Sequence, residues 1–305
     1  MKIVIIGATG LIGQQLVDSL NDSGHSLTIV SRNNNKAAKI FPSHSGFANW
    51  NGRNPNALVG IVNGSDAVIN LAGESIAGGR WTKSRKQLIL DSRIRSVKAV
   101  TEAINQAENK PKVLVQASAI GYYGTHPEMT FNEDSGSGNG FLSEVTQHWE
   151  NALRGLSSEV RLIIIRTGVV LSEKGGALKK MQTPFKLGIG GPVGSGRQWL
   201  SWIHLEDEVR AITYLINKKG ASGIYNLTAP QPVTMKEFAK TLATILQRWS
   251  WLKVPSFAVR MLFGQMGLET ILRGQRVMPA RLLAEGFVFR FSNLQDALKD
   301  IYRKN

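Results

Sequence analysis

The sequence predicts an α/β fold, a doubly wound parallel sheet with a smaller C-terminal region on its substrate side. Three observations predict it. A β-branched apolar run, Lys2 to Ile6, leads straight into a glycine-rich turn, Gly7 to Gly13. The turn opens a segment of helical spacing, Leu11 to Leu20, which Gly24 ends before a second apolar run at His25 to Val30. Strand, helix and strand within about 30 residues form a βαβ unit with a right-handed crossover. Apolar runs and helical periods then alternate to about residue 227, the pattern of a parallel sheet covered on both faces.

The later elements follow from the same periods. Strands are predicted at Asp66–Leu71, Lys112–Ser118, Arg161–Arg166 and Gly223–Leu227, and helices at Thr82–Gln106, Gly140–Leu156 and Glu206–Lys218. Thr234 and Glu237 form a capping box that opens a helix to about Gln247. Gly168 to Ser201 is rich in Gly and Pro and reads as loop, either a lid over a substrate or a connector. After Pro255 the pattern changes to apolar helical pieces with glycine breaks, ending in Phe287-Val288-Phe289-Arg290-Phe291 and an amphipathic tail. The expected organisation is a main domain over 1–252, with 168–202 and 224–252 on the substrate side, and a small appended domain over 253–305.

Composition narrows the function. Of 305 residues 42% are hydrophobic, enough for a large core, and the absence of cysteine excludes disulfides, thiolate catalysis and Cys-based metal sites. No metal is expected. No apolar run approaches the roughly 20 residues of a membrane helix, and no targeting segment precedes the first strand, so a cytoplasmic protein without a membrane partner is expected. The net charge of +15 comes from scattered residues, with no long basic block interleaved with aromatics. It reads as a solvated basic surface, not a nucleic-acid site.

The glycine motif carries the chemistry. Gly7-Ala8-Thr9-Gly10-Leu11-Ile12-Gly13 follows a strand and opens a helix. Glycines are needed where backbone turns tightly and approaches a pyrophosphate, and the helix N-terminus offers N–H groups and a positive dipole end. This is the start of a Rossmann dinucleotide-binding domain. An NAD site would place an acid about 20 residues past the glycines. None lies between His25 and Phe41; Ser31 and Arg32 stand there instead and suit a 2′-phosphate. The expected cofactor is NADP(H).

Further motifs carry a resemblance. Besides the glycine turn, these are Asn70-Leu71-Ala72-Gly73, Gln116 to Gly124, Arg166-Thr167-Gly168-Val169-Val170 and Trp202-Ile203-His204-Leu205-Glu206-Asp207. Together they resemble the extended short-chain dehydrogenase/reductases, the fold of nucleotide-sugar epimerases and dehydratases. Gly79-Arg80-Trp81-Thr82, His148-Trp149-Glu150, the stretch Gly190 to Trp199 and Gly274 to Phe287 narrow this to an atypical epimerase-like subfamily. It is sometimes labelled cell-division-inhibitor-like, and its physiological substrate is not generally known. The resemblance implies cofactor contacts from Leu71, Ala72, Gly73 and Arg166, a catalytic serine at Ser118, and a homodimer.

One departure stands out. The family relays a proton through a Tyr whose pKa is lowered by a Lys four residues on. The matching places hold Phe141 and Val145, which can neither transfer a proton nor supply a charge. Tyr122 or Tyr123 could replace the acid, or both could be packed aromatics. His148 is a weaker candidate. Arg80, Trp81 and Arg197 are candidate substrate contacts, with an ordinary loop arginine and a core tryptophan as the alternatives. His204 is expected to organise the lid. Two functions compete: an NADP(H)-dependent oxidoreductase or epimerase-like enzyme on a small anionic substrate, and an NADPH-binding sensor or scaffold without turnover.

Overall fold

The computed structural model describes residues 1–44 and 46–303. The first half runs β1 (Lys2–Ile6), α1 (Leu11–Asp22), β2 (Ser26–Ser31), α2 (Asn34–Ile40), β3 (Phe47–Asn49), α3 (Asn56–Val62), β4 (Ala67–Asn70), α4 (Lys83–Gln106) and β5 (Val113–Ala119). A 3₁₀ turn (Ile120–Tyr123), β6 (Thr130–Phe131), α5 (Phe141–Asn151), β7 (Arg161–Thr167), β8 (Val169–Leu171), α6 (Gly176–Lys186), β9 (Trp199–Leu200) and β10 (Trp202–His204) follow. The rest is α7 (Leu205–Asn217), β11 (Gly223–Leu227), β12 (Val233–Thr234), α8 (Met235–Ile245), α9 (Ser256–Gly267), a π turn (Leu268–Leu272), β13 (Arg276–Val277), α10 (Ala280–Ala284) and α11 (Leu294–Arg303).

Seven parallel strands form the central sheet in the order β11-β7-β5-β4-β1-β2-β3. The chain winds outward from β1 to β3, then returns to β4 on the other side of β1. This strand reversal is the switch point outside whose carboxyl ends open α/β sheets bind ligands. Two layers cover the sheet. Leu16 and Leu20 of α1 with Val209, Ile212 and Leu215 of α7 bury one face. Leu58 and Val62 of α3, Val97 and Val100 of α4, and Trp149 of α5 bury the other. Strands such as Ala67–Asn70 are buried at every position, which explains their continuous apolar sequence.

A third core joins Leu178 and Phe185 of α6, Phe238 and Leu242 of α8, and Leu294 and Leu298 of α11. Residues beyond 253 therefore pack into cores shared with the rest of the chain. Phe287 and Phe289 enter the first core, β13 pairs with β6, and buried Asp207 accepts from the backbone N–H groups of Arg290 and Phe291 at 2.9 and 2.8 Å. The stretch expected to be loop, Gly168 to Ser201, contains β8, α6 and β9; its glycines flank these short elements. Among the described residues no helix is long and apolar enough to cross a membrane.

Candidate active site

The glycine turn lies at the switch point. Gly7 has φ +86°, and a Cβ there would stand 2.8 Å from the carbonyl carbon of Leu71 and 2.9 Å from the nitrogen of Ala72. Only a glycine lets the loop after β1 touch the loop after β4. A Cβ on Gly13 would lie 2.6 Å from Ala8 Cα, so that glycine seats α1 against its own turn. Gly10 differs: a Cβ there would meet only Gly7 O, at 3.4 Å. The chain's own packing requires the first and third glycines, and the middle one faces open space. Gly10 is also the N-cap of α1 and makes no side-chain cap hydrogen bond, so the N–H groups of the first turn, from Leu11, Ile12 and Gly13, have no capping side chain. Thr9 accepts at its carbonyl from Gln14 Nε2, which steadies the turn. The residues present fit a dinucleotide pyrophosphate.

At the end of β2, Ser31 Oγ donates to Asn33 O and accepts from Asn33 N, both at 3.1 Å. Its hydroxyl thus closes a local turn, and Asn33 caps α2. Arg32 beside it is exposed, the one cation of the predicted Ser-Arg pair left to meet a 2′-phosphate. On the other side of the cleft, Ala72 N donates to Asn70 Oδ1, and Gly73 lies against the guanidinium of Arg93. Arg93 Nη1 donates to Glu74 O and Ile89 O, both at 3.0 Å, and burial pulls its pKa down to about 10.

α6 bridges this cleft. Gly176 touches the side chain of Leu11 in the glycine turn, and Lys180 Nζ donates to Ala77 O at 2.9 Å. The helix therefore links the start of α1 to the loop after β4.

A buried polar network joins β5, β7, β11 and α5. Ser118 on β5 stands beside Arg166 on β7 in the sheet register. Ser118 Oγ donates to Glu150 Oε1 of α5 at 2.6 Å. Arg166 donates to both oxygens of Glu150, and through Nη1 to the Tyr123 hydroxyl at 3.0 Å. Tyr123 donates in turn to Asn226 Oδ1 of β11 at 2.7 Å. The Arg166 guanidinium lies 3.4 Å from the centre of the Tyr122 ring.

The network takes in three of the expected site residues. The Ser118 hydroxyl is committed to Glu150 and buried. Arg166 is wholly internal, with Nε, Nη1 and Nη2 all donating to protein, so it is no free nicotinamide contact. Tyr123 is buried, and desolvation raises its pKa despite Arg166 beside it. Tyr122, half-buried, is the remaining phenol.

The places of the usual Tyr and Lys lie in an apolar cluster. Phe141 begins α5, and Val145 one turn on is buried with Trp81, Ile89 and Met266. Trp81 packs edge-on against Phe141 at 4.8 Å and donates its indole N–H to Ile76 O at 2.8 Å. Trp81 is therefore a wall inside the cluster, not an open stacking surface. Glu269 of the C-terminal region accepts from Leu142 N at 3.2 Å, so that region caps α5.

His204 lies at the start of α7. It is buried as the N-cap of α7, accepting from Glu206 N through Nδ1 at 3.1 Å, with its ring 4.1 Å from that of Phe291. It packs against the C-terminal segment. His148 is exposed in the last turn of α5. Arg80 and Arg197 are exposed; Arg80 Nη2 donates to Met261 O at 3.0 Å, and Arg197 N donates to Ser195 Oγ within a turn.

Sequence reasoning passed over Glu150, Asn226 and Arg93 as functional groups. Glu150 stood in the motif His148-Trp149-Glu150 without a role of its own, and Asn226 was signalled only as a polar residue inside a strand.

Comparison with known proteins agrees with this architecture. Residues 3–228 match the NAD dependent epimerase/dehydratase family, and residues 254–301 match a domain of unknown function (DUF1731). The chain is 42% identical over 305 residues to epimerase family protein YfhF of Bacillus subtilis, covering 99% of this chain and 98% of that protein. It is 41% identical over 303 residues to the chloroplastic SDR39U1 homolog of Arabidopsis thaliana, covering 99% and 86%. The crystal structure of human epimerase family protein SDR39U1 with NADPH superposes with a TM-score of 0.90 at 34% identity, covering both chains fully. With these matches added to the glycine turn at its switch point, the chain belongs to the NAD dependent epimerase/dehydratase family.

Proposed function

We propose that this chain binds NADP(H) across the β1–α1 turn and acts as an oxidoreductase on a small anionic substrate held under α6. The observation that carries the reading is the open space at Gly10, beside a helix start without a capping side chain. Exposed Arg32, and the absence of any acid between His25 and Phe41, favour the 2′-phosphorylated cofactor. The human relative solved with NADPH supports the same choice. Exposed Arg80, Lys179, Lys180 and Arg197 supply cations for a substrate carboxylate or phosphate.

When bound, the nicotinamide supplies or accepts hydride. The protein's part is to position and to exclude water. Trp81, Phe141 and Val145 form a wall that cannot hold a proton, and the Ser118–Glu150–Arg166–Tyr123 network fixes the floor beneath it. Tyr122 is left as the group able to exchange a proton at its hydroxyl. The lack of cysteine suits a reducing compartment, and we place the protein in the cytoplasm.

A second reading, a cofactor-holding sensor or scaffold, is favoured by Phe141 and Val145. Fluorescence titration with NADPH and NADH, followed by substrate-dependent NADPH oxidation over a panel of small carbonyl acids and phosphates, separates the two. Selective binding with consumption supports the enzyme. Selective binding without consumption across the panel supports the sensor, and failure to bind either nucleotide sinks both.

A further inference from the structure

Fourteen large apolar side chains are exposed among the described residues, and nine of them fall in two short stretches, 187–189 and 249–263. Trp249 is 79% exposed and Trp251 75%. On α9 only Val259, Met266 and Gly267 are buried, while Phe257, Met261, Leu262 and Phe263 are exposed. An apolar helix that shows most of its sides to water marks an interaction site.

The two stretches form one surface. Val193 bridges to Val254, Gly194 N donates to Val254 O, Val254 N donates to Pro192 O, and Gly191 abuts Leu252. The end of α6, with Leu187 and Ile189, is thereby joined to the connection between α8 and α9.

The charge in these two stretches is of one sign. No Asp or Glu occurs from 174 to 205, nor from 238 to 268. Lys186, Arg248, Lys253 and Arg260 are all exposed in these stretches. Tryptophans beside apolar and basic side chains match the boundary between acyl chains and anionic headgroups, where an indole has an apolar body and a polar N–H. A second copy of the chain suits the surface poorly, because a two-fold interface would press like charges together.

We propose that this surface docks the protein on an anionic lipid bilayer, lying in the headgroup layer without crossing it. This proposal departs from the expectation of no membrane partner, which rested on the lack of a spanning helix.

Flotation of the full chain with vesicles tests it. Vesicles of phosphatidylcholine alone and with phosphatidylglycerol are compared at low and raised salt. Binding is expected only with phosphatidylglycerol and should weaken with salt. Trp249→Ser with Trp251→Ser, and Arg248→Glu with Lys253→Glu and Arg260→Glu, should each lower the bound fraction by about tenfold or more. Both variants should keep the wild-type circular dichroism and Tm. Lys98→Glu with Arg154→Glu and Lys219→Glu makes the same charge change elsewhere and should leave binding nearly intact. No flotation with either lipid overturns the proposal, as does equal binding to both. Equal loss in the remote triple variant reduces it to net charge and overturns it too. A lipid-free dimer that the tryptophan variant dissolves assigns the surface to a second copy instead.

Discussion

Arg166 grips Glu150 through two hydrogen bonds, Nε to Oε1 at 2.9 Å and Nη2 to Oε2 at 2.7 Å, with side chains 2% and 12% exposed. The pair ties β7 to α5, the helix that carries Phe141 and Val145. Breaking one side of a buried pair strands the other charge and costs about 3–5 kcal/mol. Arg166→Met should therefore lower unfolding stability by about that amount in urea denaturation. A loss under about 1 kcal/mol would show the pair to be dispensable.

Two glycine substitutions should separate packing from binding. Gly13→Ala puts a methyl group 2.6 Å from Ala8 Cα and should destabilise the fold by about 1–3 kcal/mol. Gly10→Ala meets almost nothing of the protein; it should melt near wild type yet lose NADPH affinity by about tenfold or more. Wild-type affinity in Gly10→Ala would remove the turn from the cofactor site.

Arg32→Ala should weaken NADPH by about tenfold to a hundredfold, the worth of a charge-assisted hydrogen bond. NADH should change little. Equal losses for both nucleotides, measured by the same titration, would assign Arg32 to something other than the 2′-phosphate.

Restoring the usual pair should fail. Val145 is buried beside Trp81, Ile89 and Met266, and a lysine there would place an ammonium among apolar groups. Phe141→Tyr with Val145→Lys is expected to lower Tm and to add no turnover. A stable, newly active variant would show that only the two side chains were missing.

Glu208 gives the pH prediction. Complete burial pushes its carboxyl up to about 8 from an ordinary 4.5, with the Thr167 hydrogen bond acting in the opposite direction. The folded value exceeds the unfolded one, so the native state holds the extra proton. Its contribution is present in full below about 4.5 and is lost as pH rises through about 8. Glu208→Gln should flatten that decline relative to wild type across this window. Parallel stability curves for the two proteins would contradict the shift.

Some of this was legible in the chain alone. Periodicity is a property of neighbouring residues, so long helices emerged almost to the residue: Thr82–Gln106 against the observed Lys83–Gln106, and Glu206–Lys218 against Leu205–Asn217. The short elements α2, α3 and β3, of seven residues or fewer, were missed because they hold too few turns or alternations to show a period. α6 was hidden by the glycines and prolines around it.

The site divides along the same line. Gly7 and Gly13 were readable because a turn is local. The fate of Ser118 was not. Which group its hydroxyl meets depends on the β5–β7 register and on where α5 lays Glu150, a residue 32 positions away. The sequence by itself determined the sheet and the glycine turn, since these rest on residue type and spacing. Tertiary structure alone decided that Ser118, Arg166 and Tyr123 form an internal network, and that two acid-free stretches meet at Val193 and Val254. Burial and juxtaposition belong to the packed chain, where residues far apart in order become neighbours.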